Sequence, residues 1–260
     1  MGEKQGHTPG LRYRWISGGA ASAVAVKLDL AQYGPDAGPL IYIDTGSEHP
    51  DTERFLDDLE GWFGVAIQRA FSARYADTWA VWEGERFLRG PMGAACTKIL
   101  KRHVREGLKI PASAPQIWGY TAEEGKRAET FRKHHFGEVA CVFPLIDQQV
   151  SKADCYALVT RAGIKLPEPY LLGFDNNNCL PCVKAEGARY WNRIRRHFPG
   201  LFDRMAGLER DLGYALVRIN KQAVFLDELD PEAGADDDTP EPISCGITCF
   251  IAEQNMGEAA

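Results

Sequence analysis

Short apolar runs alternate along this chain with longer stretches of helical periodicity. Arg12 to Ile16 predicts a strand that runs into Ser17-Gly18-Gly19, and the Ala- and Val-rich stretch from Ala20 to Ala31 predicts a helix stopped by Gly34-Pro35. Leu40 to Ile43 predicts a second strand, followed by the turn Asp44-Thr45-Gly46. Pro50 opens the next helix, with Asp51 and Glu53 in its first turn and Phe55, Leu56, Leu59 and Phe63 on one apolar face. Val65 to Ile67 predicts a third strand, and helices are expected from Ala76 to Leu88 and from Cys96 to Glu106. Gln116 to Trp118 leads as a strand into Gly119, Glu123 to His135 is a charged helix, and Glu138 to Phe143 is a fifth strand closed by Pro144. Ser151 caps a helix that stops at Gly163. A loop rich in Pro, Gly and Asn follows from Pro167 to Pro181. Two helices come next, from Val183 to His197 and from Pro199 to Leu212, and then short-strand character from Ala215 to Leu226.

Strands that alternate with helices imply an α/β fold: an open, mostly parallel five-stranded sheet with helices on both faces. Ligands of such folds bind at the carboxyl ends of the strands. The two glycine turns, at Ser17 to Gly19 and Asp44 to Gly46, fall there. The 260 residues suit one large domain or two small ones, and the 45% hydrophobic and 25% charged content excludes wholesale disorder. No apolar run approaches the ~18 residues that span a bilayer. The polar start, Met1 to Gly10, carries no secretory apolar segment, so the expectation is a cytoplasmic protein with no membrane partner.

Charge divides the chain. The formal net charge is −6, yet eight acids and no base lie between Asp227 and Glu241, and all 30 Lys and Arg precede residue 227. The body before that run carries 26 acids and is therefore +4, compatible with anionic ligands. This predicts a body over residues 11–226, an acidic linker over 227–242 and a cysteine-containing tail over 243–260.

Ser17-Gly18-Gly19-Ala20-Ala21-Ser22 joins the first strand to the first helix. A phosphate needs backbone N–H groups at a helix N-terminus and unhindered hydroxyls, which two glycines with Ser17 and Ser22 supply. A plain tight turn fits the same residues. The spacing is neither the Walker loop nor the dinucleotide fingerprint. The segment resembles the PP-loop of the adenine-nucleotide alpha-hydrolase superfamily, S-G-G-x-D-S. The whole chain, over roughly residues 11 to 250, is similar to the phosphoadenosine phosphosulfate (PAPS) reductase family. The blocks that carry this are, in order, Ile43-Asp44-Thr45-Gly46 with His49-Pro50-Asp51-Thr52, Cys96-Thr97-Lys98 with Lys101, Gly119 with Glu124, Arg127, Glu129 and Arg132, Phe143-Pro144-Leu145-Ile146-Asp147, and Asn178-Cys179-Leu180-Pro181-Cys182.

Departures from the pattern are specific. Ala21 stands where the ATP-using loop has Asp, and the double glycine resembles the ATP-using branch more than the reductases. The nucleophilic Glu-Cys-Gly-Leu-His block of reductases is matched only by Ser244-Cys245-Gly246-Ile247-Thr248, and Ala95 leaves Cys96 alone where reductases of adenosine phosphosulfate (APS) have a cysteine pair.

The resemblance implies an adenine nucleotide, ATP or PAPS/APS, held by Ser17, Gly18, Gly19, Ser22, Asp44, Thr45 and Gly119, with Lys98 and Arg132 neutralising its anionic groups. It implies Cys96, Cys245 and Arg127 as catalytic residues. By spacing, Cys179/Cys182 and Cys245/Cys249 fit a four-cysteine site for zinc or a [4Fe–4S] cluster. A three-cysteine cluster of Cys96, Cys179 and Cys182, or four free thiols, are the competing arrangements. Cys141 and Cys155 lie in apolar patterns and read as core. Three functions follow. The first is ATP-dependent sulfur transfer, adenylating an acceptor such as nucleic acid with release of pyrophosphate. The second is a thiol-dependent PAPS/APS reductase that releases sulfite, and the third a non-catalytic nucleotide-binding regulator. Partners implied are a cysteine desulfurase or thioredoxin-like protein and a second copy in a homodimer.

Overall fold

The computed structural model describes residues 10–234 and 247–257. The chain runs β1 (Tyr13–Ile16), α1 (Ala20–Tyr33), β2 (Leu40–Ile43), α2 (Asp51–Phe63), β3 (Ile67–Ala70) and α3 (Thr78–Glu85). A small hairpin, β4 (Arg89–Gly90) and β5 (Gly93–Ala94), precedes a π-helix over Thr97–Arg102 and α4 (His103–Gly107). Then come β6 (Pro115–Ile117), α5 (Gly125–His134), β7 (Ala140–Val142), α6 (Pro144–Asp147), α7 (Lys152–Arg161) and α8 (Glu168–Leu171). The described chain closes with α9 (Ala188–His197), α10 (Pro199–Leu212), the hairpin β8 (Val217–Ile219) and β9 (Gln222–Val224), and α11 (Ile247–Asn255).

The main sheet has the order β3-β2-β1-β6-β7, and every neighbouring pair is parallel. The expected five-stranded α/β sheet is therefore present. The chain first builds outward from β1 through β2 to β3, then returns to lay β6 on the other side of β1. That reversal opens a crevice at the carboxyl ends of β1 and β6, the place where such sheets take ligands.

One core lies around α1, which is small-residued and buried nearly all round: Ala20, Ala23, Val24, Ala25 and Val26 are all fully buried. Their small volume lets the helix sit between the sheet, α2, α7 and α11. The expected face of α2, Phe55, Leu56, Leu59 and Phe63, packs into this core, and Gly64 ends the helix with left-handed backbone. Ser151 caps α7 in a reciprocal capping box with Asp154. Beneath the core, Arg12 and Arg14 both pair with the buried Asp29, at 2.5 and 2.7 Å, and Arg14 also donates to the carbonyls of Gly34 and Gly38.

A second core gathers Trp79 and Trp82 of α3, Leu100 of the π-helix, Trp191 and Ile194 of α9 and Met205 of α10, with Leu88 before β4 and Leu216 before β8. The sequence pattern gives its helices but not their separation from the first core.

Several boundaries differ from the expected ones. The single helix expected over 96–106 is a π-helix followed by α4. The helix expected from Val183 starts at Ala188, because residues 182–185 form a turn closed by Ala185 N–H to Cys182 O. The start of the acidic run is docked: Arg210 donates to both Asp227 and Glu228. Among the described residues no helix is long and apolar enough to cross a membrane.

Candidate functional site: a glycine loop beside a cysteine cleft

Between β1 and α1 the chain turns at Gly18, whose φ of +75° suits glycine; a Cβ there would stand 2.8 Å from Thr52 Cγ2. Gly19 is the N-cap of α1, with no acid in the first turn, and the buried Tyr170 hydroxyl beside it accepts from the backbone N–H of Ala20. The positive end of the dipole of this 14-residue helix thus lies at the sheet crevice. Ser22 braces the turn. Its Oγ accepts from Ser17 N at 3.0 Å, lies 3.0 Å from Ser17 Oγ and donates to Gly19 O at 2.8 Å. Ser17 itself is exposed, so its hydroxyl faces the solvent side of the loop.

Gly119, at the end of β6, closes the other wall. A Cβ there would stand 2.5 Å from Ser22 Cα and 2.6 Å from Ser22 N. Its lack of a side chain lets the β6 turn touch the N-terminus of α1. On β2, Asp44 Oδ1 accepts from Gly46 N at 2.7 Å, so this carboxylate shapes the turn.

Thr45 points the other way, into a cluster. It donates from Oγ1 to Glu48 Oε1 at 2.7 Å and lies 3.0 Å from Cys179 Sγ. Cys179 Sγ also reaches Glu48 Oε1 at 3.6 Å, so the thiol, the hydroxyl and the carboxylate form one cluster. Burial pushes the Cys179 thiol up to about 12, against the pull of Lys101 and the Thr45 hydrogen bond, so the thiol is protonated near neutrality. Lys101 is opposed by burial, yet Cys179, Glu48, Cys182 and Cys96 together hold its ammonium above the ordinary lysine value. Burial likewise raises Cys96, with Trp82 and Lys184 acting against it.

These side chains line a small cleft that includes Thr45, Cys96, Lys101, Cys179, Cys182 and Lys184. The π-helix contributes Thr97 and Lys101, and the loop after α8 contributes the two close cysteines. Two backbone contacts seat that loop: Leu180 N donates to Ser47 O at 2.7 Å, and Cys182 N donates to Tyr190 Oη at 2.6 Å. Asn177 ties it to the glycine loop, donating from Nδ2 to Gly18 O at 2.7 Å and Thr52 Oγ1 at 3.0 Å.

Residues 14–185 match the family described as the phosphoadenosine phosphosulfate reductase domain. The chain belongs to this family. Among solved structures, the crystal structure of phosphoadenylyl-sulfate (PAPS) reductase from Candida auris in its phosphate complex is similar, with 14% identity, 64% of this chain and 80% of that chain covered, and a TM-score of 0.43. No curated protein sequence matches.

Within this PAPS reductase-like domain, the expected residues fall into three groups. Ser17, Gly18, Gly19, Ser22, Asp44 and Gly119 gather at the strand ends, and Thr45 joins Cys96, Cys179 and Cys182 in the cleft. Lys98, Arg127 and Arg132 are exposed. Arg127 pairs with Glu124 and lies over the Tyr120 ring, and Arg132 lies over Phe143 at 5.1 Å. Among the described residues neither is hydrogen-bonded to the glycine loop.

The four-cysteine arrangement needs correction. Cys249 is fully buried, disulfide-bonded and packed in the first core, where α11 lies on α1 and α7 through Cys249, Ala252 and Met256. These apolar residues sit three and four apart, so burying them takes Cys249 away from the cleft. Cys245 lies outside the described residues. Among the described residues no group of three or more His, Cys, Asp or Glu is placed to hold a metal ion.

The motif reading passed over Glu48 and Asn177. Glu48 follows the turn Asp44-Thr45-Gly46, and Asn177 sits in the run Asn176-Asn177-Asn178 before Cys179. A run of asparagines marks a loop whose side chains bond to backbone, which is the signal that points to Asn177.

Proposed function

We propose that this domain binds an adenine nucleotide at Ser17–Ser22 and uses it in sulfur transfer: an acceptor oxygen is adenylated, pyrophosphate leaves, and sulfur then displaces AMP. The observation that carries this is the N-terminus of α1 behind a double-glycine turn, tied by Asn177 to a thiol-lined cleft. The positive end of the helix dipole favours a phosphate chain. The cleft supplies thiols and the Lys101 and Lys184 ammonium groups that favour anionic sulfur species. Gly119 keeps the two walls in contact. The acceptor class is nucleic acid, which the +4 body suits. A cysteine desulfurase is the fitting sulfur donor.

Family membership favours a second reading, reduction of PAPS or APS with release of sulfite and re-reduction by a thioredoxin-like protein. In that reading a thiolate attacks the sulfur of the sulfonucleotide. A sulfur–sulfur bond forms, the sulfur–oxygen bond breaks, and the nucleotide leaves with the electron pair. A second thiol then displaces sulfite and leaves a disulfide.

Product analysis separates the two. The full chain is incubated with ATP plus nucleic acid and a persulfide donor, and in parallel with PAPS or APS plus a dithiol. Sulfur transfer yields AMP and pyrophosphate from ATP and no sulfite. Sulfite from PAPS or APS, with ATP untouched, reverses the order of the two readings.

A further inference from the structure

We propose that Asn177 is a positioning residue that couples occupancy of the glycine loop to the state of the cysteine cleft. This inference rests on nucleotide binding at Ser17–Ser22 and adds the device that links that site to Cys179.

Asn177 is 5% exposed. Both protons of its amide are used across long sequence separations, one on Gly18 O at 2.7 Å and one on Thr52 Oγ1 at 3.0 Å. Its Oδ1 is buried with no hydrogen-bond partner. A buried acceptor left unpaired is costly, so what this side chain contributes lies in its two donors. One of them holds the carbonyl of the residue with left-handed backbone at the turn of the loop. Any shift of Gly18 that accompanies a phosphate entering the loop therefore acts on Asn177 directly.

Two residues further on, Cys179 Sγ lies 3.0 Å from Thr45 Oγ1, and Leu180 N is bonded to Ser47 O. Thr45 and Ser47 follow β2, the strand beside β1. The segment 177–180 thus straps the ends of two adjacent strands. It is fastened to the glycine loop at one end and to the Thr45–Glu48 pair at the other. So short a strap passes displacement at Gly18 to Cys179 with little room to absorb it. Closely packed interiors transmit strain in this way.

The test reads thiol labelling. The full chain and its variants are treated with iodoacetamide with and without saturating ATP, and with and without APS, and each cysteine is followed by peptide mass spectrometry. Cys155, fully buried, is the internal control. Nucleotide binding is measured separately by calorimetry. In the unsubstituted chain, bound nucleotide changes the Cys179 labelling rate several-fold. Asn177→Ala raises Cys179 labelling without nucleotide and abolishes the response to it, at nucleotide concentrations raised to restore saturation. Asn177→Asp, of the same shape but without the amide donors, behaves alike. Thr52→Val keeps the Gly18 bond and retains part of the response, which preserves the test if Asn177→Ala fails to fold. A several-fold response that persists unchanged in Asn177→Asp overturns the coupling. So does nucleotide binding that leaves Cys179 labelling unchanged in the unsubstituted chain. Absence of nucleotide binding overturns the underlying reading as well.

Discussion

Gly119 lies against Ser22 so closely that a single methyl group on it would overlap backbone, at 2.5 Å from Ser22 Cα. The contact joins the end of β6 to the first turn of α1, across the crevice where the sheet reverses its order. Glycine at position 119 is thus a packing requirement of the loop, beside any contact it makes with a nucleotide.

Gly119→Ala pushes backbone against backbone, and overpacking of this kind costs about 1–3 kcal/mol. The expected outcome is a folded protein with a lowered unfolding midpoint in urea and lost nucleotide binding by calorimetry. Unchanged binding would show that the loop tolerates separation of its two walls.

Asp29 neutralises two arginines that are almost wholly removed from solvent. Removing one partner of a buried pair leaves uncompensated charge and costs about 3–5 kcal/mol. Asp29→Ala should lose that much stability in urea titration, because among the described residues Asp29 is the carboxylate that pairs with both Arg12 and Arg14. A loss below about 1 kcal/mol, the range of exposed pairs, would contradict this burial.

Glu209 makes folding pH-dependent. Its fully buried carboxyl accepts from Leu216 N and from Leu226 N, holding the β8–β9 hairpin to α10, and burial pushes it up to about 7. A raised carboxyl favours its neutral form in the folded state. Its stabilising contribution is complete below the ordinary value of 4.5 and is lost as pH rises toward 7. Glu209→Gln should flatten the fall in unfolding free energy between those limits, followed by denaturant titration at several pH values. The same slope in both proteins would remove Glu209 as its source.

The cysteines should differ in reactivity as their surroundings differ. Cys155 is fully buried and pushed far up by burial, so it should resist iodoacetamide until the protein unfolds. Cys182, half-buried at the cleft, should react first. Mass-spectrometric labelling order checks this, and early labelling of Cys155 would contradict the packing of α7 on α1.

Where a residue's role is local, the sequence made it readable. Leu40–Ile43 is a strand at the expected bounds, and Ser151 caps its helix with Asp154, because both features are written in adjacent residues. The glycine turn and the Cys179–Cys182 pair were legible for the same reason. Glu48 and Asn177 were not, since their importance comes from partners more than 100 residues away, Cys179 and Gly18. Cys249 misled in the opposite sense. Its spacing from Cys245 imitates a ligand pair, while its place on the buried face of α11 is decided by packing against α1 and α7. The acidic run read as a linker from composition, but Arg210 draws Asp227 and Glu228 onto α10.

The central claim, an adenine nucleotide activated in the Ser17–Ser22 loop for sulfur transfer, is tested most directly by ATP–pyrophosphate exchange. Radiolabelled pyrophosphate is supplied to the full chain with ATP and a panel of nucleic-acid and small-molecule acceptors. The account predicts acceptor-dependent label in ATP that Gly119→Ala abolishes. Exchange that stays blank across the panel, in protein shown by calorimetry to bind nucleotide, would contradict it.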